Sequence, residues 1–230
     1  MPIDSFQLRD RALYFPGSDV LILADLHLGM DQTSDLELPV GERADVLDRI
    51  DELLAEFEPG TVIVAGDVVH AFDHVPDAVG LTWAAMTDRI RAAEADFVVL
   101  RGNHDAVLDQ LRSGPIDAHY RIAGDEVVAH GHEPPAETAP QYVIGHEHPA
   151  IRIEGERHAC ALDCIDQRDA ARVIVAPAFT RLARGTLVNG RRSDESVSPL
   201  LSDVTACRPV VETEDDTLRF PPLSSFRSLL

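Results

Sequence analysis

The chain reads as an α/β fold. Three observations carry that reading: five short apolar runs with strand character, two amphipathic stretches alternating with the first three of them, and a length of 230 residues. Such a length suits one sizeable domain and gives no firm sign of two, so a single domain over 1–230 is expected. The runs are LILADLH, TVIVAGD, FVVLRGNHD, EVVAHGH and YVIGHEH, and each stops on a residue type that binds metal. Asp25, His27, Asp67, Asn103, His104, His130, His146 and His148 therefore stand at the ends of expected buried strands. Ends of neighbouring parallel strands converge on one crevice.

In chain order, the first run closes on Asp25-Leu26-His27, and because residues two apart on an extended chain point the same way, Asp25 and His27 share a side. A polar loop through Pro39 leads to a helix carrying Val46, Leu47, Ile50, Leu53, Leu54 and Phe57 on one face, stopped by Pro59-Gly60. Strand TVIVA follows. A second amphipathic stretch, with Leu81, Trp83, Met86 and Ile90, then leads into strand FVVL. Strand, helix, strand, helix, strand is the signature of right-handed βαβ units with a helix-covered sheet. Beyond Asp105 the strands shorten and the connections become Pro-rich, notably EPPAETAP, a kind of loop that borders sites more often than it fills cores. His146 and His148 again share a side. The last third holds RVIVA, a PAF turn at Pro177 to Phe179, the polar segment GRRSDESVSP and a hairpin-like VVETEDDTLRF, together expected to form a second sheet packed on the first. Gly66, Gly102, Gly131 and Gly145 flank the strand-end residues, where a missing Cβ lets the backbone turn sharply.

Acidic residues number 40 against 20 basic ones, all of them Arg, for a formal net charge of −20. A hydrophobic content of 45% in periodic runs excludes a disordered acidic chain. The acids are spread along the chain, which argues against a dedicated basic partner. What remains is a surface adapted to concentrated salt, where self-repulsion is screened over about 3 Å at 1 M. The Lys-free, acid-rich composition resembles the proteomes of extreme halophiles, an archaeal signature. Cys160, Cys164 and Cys207 are odd in number and lack metal-site spacing, so buried free thiols in a reducing cytosol are expected. MPIDSFQLRD lacks the apolar core of a signal peptide and no later stretch is apolar enough for a bilayer, so the expectation is a cytoplasmic protein without a membrane partner.

The ordered motifs are D-x-H at Asp25 and His27, G-D at Gly66 and Asp67, G-N-H-D from Gly102 to Asp105, H-G-H from His130 to His132, and G-H-x-H from Gly145 to His148. From about Val20 to His148 this order resembles the calcineurin-like metallophosphoesterases, a two-metal family built on a four-layer α/β/β/α sandwich of two mixed sheets flanked by helices. ADLHLG, GDVVH and the later PAF resemble its small archaeal and bacterial branch, related to repair nucleases and DNA-ligase-associated phosphoesterases. The resemblance implies that Asp25, His27 and His148 hold one cation, that Asn103, His130 and His146 hold another, and that Asp67 bridges them. It also implies a bridging hydroxide as nucleophile and places His104 near the leaving oxygen. Asp105 is expected to hold the His104 ring in one tautomer. The chemistry of the residues agrees, since a carboxylate offers two oxygens, and cations roughly 3.5–4 Å apart can clamp both oxygens of an in-line displacement. The set contains no Cys, whereas structural zinc sites favour thiolates, and this points to catalysis. Such O/N donors accept Mn²⁺, Fe²⁺, Zn²⁺ or Ni²⁺. The resemblance implies Mn²⁺.

Other readings stand beside these. His132 rivals His130, although His130 directly ends the apolar run. His70 and His74 suit contact with a substrate phosphate or loop packing equally, and His119 and His158 have no partner in sequence. Arg101 suits a bidentate phosphate contact or a plain surface charge. The expected activity is a phosphodiesterase acting on small phosphodiesters, nucleotide-type substrates or cyclic nucleotides. The chain is short for a nuclease with a large capping domain, which implies an open crevice. Nucleic acid is disfavoured by the negative charge, with no basic cluster outside Arg191-Arg192. A phosphomonoesterase or phosphoprotein phosphatase is the enzymatic alternative, and a non-catalytic interaction module would lack ligands that are all present here. No assembly signal fixes an oligomeric state.

Overall fold

The apolar runs resolve into strands of two sheets that pack face to face. A computed structural model describes residues 6–30, 41–71, 73–111, 114–122, 125–213 and 217–226. The polar loop through Pro39 lies outside the described residues. The first sheet contains β1 (Gln7–Arg9), β2 (Ala12–Phe15), β3 (Val20–Leu23), β4 (Thr61–Ala65) and β5 (Asp96–Leu100), in that order. β1 to β3 pair antiparallel, and β3, β4 and β5 pair parallel. Helices α1 (Glu42–Phe57) and α2 (Asp77–Ala92) lie in the β3–β4 and β4–β5 crossovers, as the alternation predicts.

The second sheet is formed by β6 (His119–Ile122), β7 (Glu126–Ala129), β8 (Gln141–Ile144), β11 (Ala161–Cys164), β12 (Arg172–Val175), β14 (Arg208–Glu212) and β15 (Thr217–Arg219). Its order is β15-β14-β11-β12-β8-β7-β6, with β7, β8 and β12 parallel. The expected terminal hairpin is β14 and β15, with Val211 opposite Leu218. A small third sheet joins β9 (Pro149–Ile153), β10 (Glu156–Ala159) and β13 (Thr186–Leu187).

Burial on both faces explains why the central strands read as unbroken apolar runs. Leu21, Leu23, Val62 and Val64 pack outward against Val46, Ile50, Leu53, Trp83, Met86 and Ile90 of the helices. Ile22, Ala24, Ile63 and Ala65 face inward, into a core shared with Val128, Val143, Ile174 and Ala176 of the second sheet. Glu42 and Asp45 in the first turn of α1, and Arg89 and Arg91 in the last turn of α2, complement the helix dipoles. Leu81, expected on the buried face of α2, is 64% exposed. Two residues away from Trp83, it lies on the far side of the helix, and Val79 takes the inward place.

The outer face of the second sheet, with Val127, Ile144, Leu162 and Val175, is covered by Leu200, Leu201, Val204 and Leu223. These come from an irregular segment, a 3-10 turn and the one-turn helix α3 (Leu223–Phe226), so the fourth layer is assembled from short turns. The cysteines depart from expectation. Cys164 and Cys207 form a disulfide, and only Cys160 is a free buried thiol. Pairing of β11 with β14 sets Asp163 opposite Arg208 and so brings the two cysteines together, across a separation of 43 residues that carries no local signal. Among the described residues no helix is long and apolar enough to cross a membrane.

Candidate metal centre

The loops after β3, β4, β5, β7 and β8 converge at one end of the two-sheet stack. Backbone bonds join the first two, from His27 N–H to the Asp67 carbonyl (2.9 Å) and from Leu28 N–H to the Val68 carbonyl (2.8 Å). Asp25, His27, Asp67, His146 and His148 all adopt positive φ, between 45° and 67°. Two glycines make the close approach possible. A Cβ at Gly66, where φ is 84°, would lie 2.7 Å from the His130 ring. At Gly102 it would collide with the Asp67 carboxylate and amide.

Two groups of donors result, Asp25/His27/His148 and Asp67/His130/His146, and within each the ligand atoms lie within 4.8 Å of one another. In the first, His148 Nε2 is 3.2 Å from Asp25 Oδ1 and 3.4 Å from His27 Nε2. Asp25 Oδ1 and His27 Nδ1 are buried without a hydrogen-bond partner. In the second, His130 Nδ1 donates to the Ala65 carbonyl at 3.1 Å, which leaves Nε2 facing Asn103 Oδ1 at 3.0 Å and Asp67 Oδ2 at 3.4 Å. A neutral imidazole held in that tautomer turns a lone pair on two electron-rich oxygens. A proton or a metal cation at Nε2 removes the conflict, and a backbone carbonyl that accepts the other ring N–H is a usual partner of a metal-ligating histidine. The donor set fits divalent cations on this ground.

The electrostatics are polarised. Burial pushes the His27 imidazole down to about 4, against the pull of Asp25 and Asp67. Burial acts in the same direction on His130, but Asp67 and Asp25 outweigh it and raise the ring to about 8. For Asp67, burial favours protonation, while the hydrogen bond and charge of His130 hold the carboxyl far below its ordinary range. Burial, followed by the charge of His130, lowers His146, whereas the Asp25 carboxylate raises His148 despite burial.

The remaining candidates take definite places. His104 is exposed at the rim; its backbone N–H donates to Asp67 Oδ1 at 2.9 Å and its ring centroid is 6.0 Å from that of His27. Asp105 takes a role different from the expected one. Its oxygens accept from Val68 N–H (2.8 Å), Val69 N–H (3.3 Å) and Gly102 N–H (2.8 Å), so it clamps the Asp67 loop to the Asn103 loop where the sequence suggested an imidazole holder. The His132 ring stands behind His130, with centroids 5.2 Å apart, and His130 is the one that reaches Asp67 and Asn103. His70 lies against His27, its ring centroid 5.7 Å away, while His74 and His158 are exposed and His119 pairs with Glu137. Arg101 bonds the Asp109 carboxylate and the Asp105 carbonyl, which makes it a loop brace.

Two bracing residues escaped sequence reasoning. Glu147, between two candidate ligands, is buried and accepts from Ser196 Oγ, Val197 N–H, Ser198 N–H and Arg191. Arg49, buried in α1, stacks on Phe179 at 3.7 Å and bonds its carbonyl, while Phe179 N–H reaches the Ala24 carbonyl. The only available signals were a carboxylate inside G-H-x-H and a charge on an otherwise apolar helix face.

The family model described as calcineurin-like phosphoesterase matches residues 18–151. Among solved structures the chain is similar to the Pseudomonas putida nuclease MPE, with a TM-score of 0.63, 23% identity, and coverage of 94% of this chain and 95% of that one. It is also similar to YfcE, a phosphoesterase from E. coli, with a TM-score of 0.43, 18% identity, and coverage of 85% and 88%. The first likeness shows a shared fold. No curated protein sequence matches the chain. The matched segment contains every donor of both groups and spans more than half of the 230 residues, and on that ground the chain belongs to the calcineurin-like phosphoesterase family.

Proposed function

We propose that this protein is a two-cation phosphodiesterase of nucleotide-type substrates, working as a single domain over 1–230 in a salt-rich cytoplasm. The observation that carries the reading is the position of Asp67. Its Oδ2 lies 3.4 Å from His130 Nε2 and 4.0 Å from His27 Nε2, between the two donor groups, as a bridging carboxylate must. Asp25, His27 and His148 would hold one cation, and Asn103, His130 and His146 the other; the O/N donors accept Mn²⁺, Fe²⁺, Zn²⁺ or Ni²⁺, and Mn²⁺ is the choice by resemblance. Bound cations would neutralise the phosphoryl oxygens and acidify a coordinated water toward neutral pH.

The protein's own groups supply position and proton control. Asp105 and Glu147 fix the loops that carry Asp67, Asn103, His146 and His148. The Ala65 carbonyl fixes the His130 tautomer. His104, at the open rim beside His27, is placed to meet the leaving oxygen and donate to it as the ester bond breaks.

In molar KCl with Mn²⁺, bis-p-nitrophenyl phosphate should be hydrolysed faster than the monoester p-nitrophenyl phosphate. Asp67→Asn should lose on the order of 100-fold or more in kcat and bind less Mn²⁺ by calorimetry. His104→Ala should lose on the order of 10²-fold in kcat while keeping its Mn²⁺. Both should retain the circular dichroism of the parent. Full activity in both variants would remove the assignment, and a reversed substrate preference would make the protein a monoesterase.

A further inference from the structure

We propose that an arginine-lined cavity beside His148 is a subsite for a second phosphate of the molecule cut at the metal centre, and that this molecule is a nucleic acid chain. The inference rests on the phosphodiesterase reading and deepens it. The cavity, of about 390 Å³, is lined by Arg11, Arg152, Arg157, Arg181 and Arg184 and opens next to His148, one of the first group of candidate ligands. Its volume is in the range of small-ligand pockets. Among the described residues Glu156 is the only acid in the lining. In a chain of net charge −20, five guanidinium groups around one cavity are a local reversal of sign.

These charges are not all spent on the fold. Arg181 is held by Asp10 (2.7 Å) and Asp45 (2.8 Å), so its charge is neutralised in place. Arg157 donates to the carbonyls of Arg184 and Gly185 at 2.9 and 2.7 Å, and Arg11 to the carbonyls of Ala178 and Thr180. Those bonds fix the two side chains yet leave their charges without a carboxylate. Among the described residues Arg152 and Arg184 have no ion pair. Burial and then the charges of Arg49 and Arg181 push the Arg11 guanidinium down to about 10, and it stays charged at neutral pH.

The chemistry selects the ligand. Planar, forked guanidinium groups bind phosphate in bidentate fashion. Among the described residues no aromatic side chain lines the cavity, so the base stacking that strengthens single-strand binding is absent, and the arginines would follow the phosphate backbone and be indifferent to sequence. The five residues come from the β1–β2 turn, the β9–β10 hairpin and the segment after Phe179, and no stretch of the chain signals them as a cluster. The sequence objection to nucleic acid rested on the negative charge and on the missing basic cluster. The fold supplies one at the edge of the metal centre.

The test compares the parent with Arg152→Ala/Arg184→Ala and with Arg91→Ala, an exposed residue paired with Asp88 that serves as a charge control. Binding of fluorescein-labelled oligothymidylate is followed by anisotropy without Mn²⁺, and hydrolysis of unlabelled oligothymidylate and of bis-p-nitrophenyl phosphate is followed with Mn²⁺. The double variant should weaken oligothymidylate binding at least tenfold and lower the ratio of its kcat/KM to that of the one-phosphate ester at least tenfold, through KM. Arg91→Ala should change neither, and Arg152→Lys/Arg184→Lys should restore part of the binding. Equal binding and an equal ratio in parent and double variant would overturn the subsite, even with the small ester turned over normally. Arginine-dependent binding without turnover of either substrate would uphold the subsite and strike the catalytic reading instead. Arginine-dependent binding of diadenosine tetraphosphate without oligothymidylate would overturn the assignment to a nucleic acid chain.

Discussion

The left-handed backbone at Asp25, His27, Asp67, His146 and His148 is the clearest residue-scale mark of function, because none of these side chains lowers the cost of that conformation as glycine would. Each costs roughly 1–2 kcal/mol; other non-glycine residues, such as Asp19, Glu58 and Glu94, also adopt positive φ, and these five are set apart by carrying candidate ligands. The loop-to-loop bonds and the Asp105 clamp hold the strain. In chelator, His148→Gly should therefore be more stable than His148→Ala by about 1 kcal/mol in urea melts, although glycine enlarges the unfolded ensemble. An alanine variant that melts later than the glycine one would show that the loop is not strained there. Residue identities at the site were legible because each candidate ligand ends an apolar run. Their braces were not, since Glu147 is bonded by Arg191 and the 196–198 segment, and Asp105 by Gly102 N–H of its own loop and by the Val68 and Val69 amides of another.

At the scale of elements, legibility follows the range of the interactions. The faces of α1 and α2 and the strands β3, β4 and β5 follow from local period, with Leu81 the one misplaced side chain. The order of the second sheet does not, because β12 inserts between β8 and β11 and β14 pairs with β11 by contacts remote in sequence. The Cys164–Cys207 bond belongs to that same long-range pairing. Closing a loop across 43 residues should contribute about 4 kcal/mol by limiting the unfolded chain. Urea denaturation with and without dithiothreitol should show that loss, and Cys164→Ala/Cys207→Ala should match the reduced protein. Thiol titration of the unreduced, urea-unfolded protein should find one group, Cys160, whose burial pushes its pKa far up and makes it unreactive in the native state. Three titrating thiols, or identical midpoints in the two buffers, would mean that the bond does not form.

For the whole molecule, charge decides the conditions of stability. With 40 acids against 20 arginines, at least 20 carboxylates have no basic residue to offset them, while the arginines are drawn into shared pairs. Asp10 and Asp45 are each held by both Arg49 and Arg181, and Asp163 by Arg172 and Arg219. Salt acts on the two populations with opposite sign. It weakens exposed pairs, each worth only about 0–1 kcal/mol, and spares those anchored by buried Arg49. It also screens repulsion among the excess acids, whose range shrinks from about 10 Å at 0.1 M to about 3 Å at 1 M. The excess is large and spread over the surface, so relief of repulsion should dominate, and the melting temperature should rise steadily in KCl from 0.1 to 2 M. Far-ultraviolet circular dichroism should report a looser fold in dilute buffer that recovers on adding salt. A melting temperature that stays flat or falls across that range would place the balance with the arginine pairs and end the salt-adapted reading of the composition.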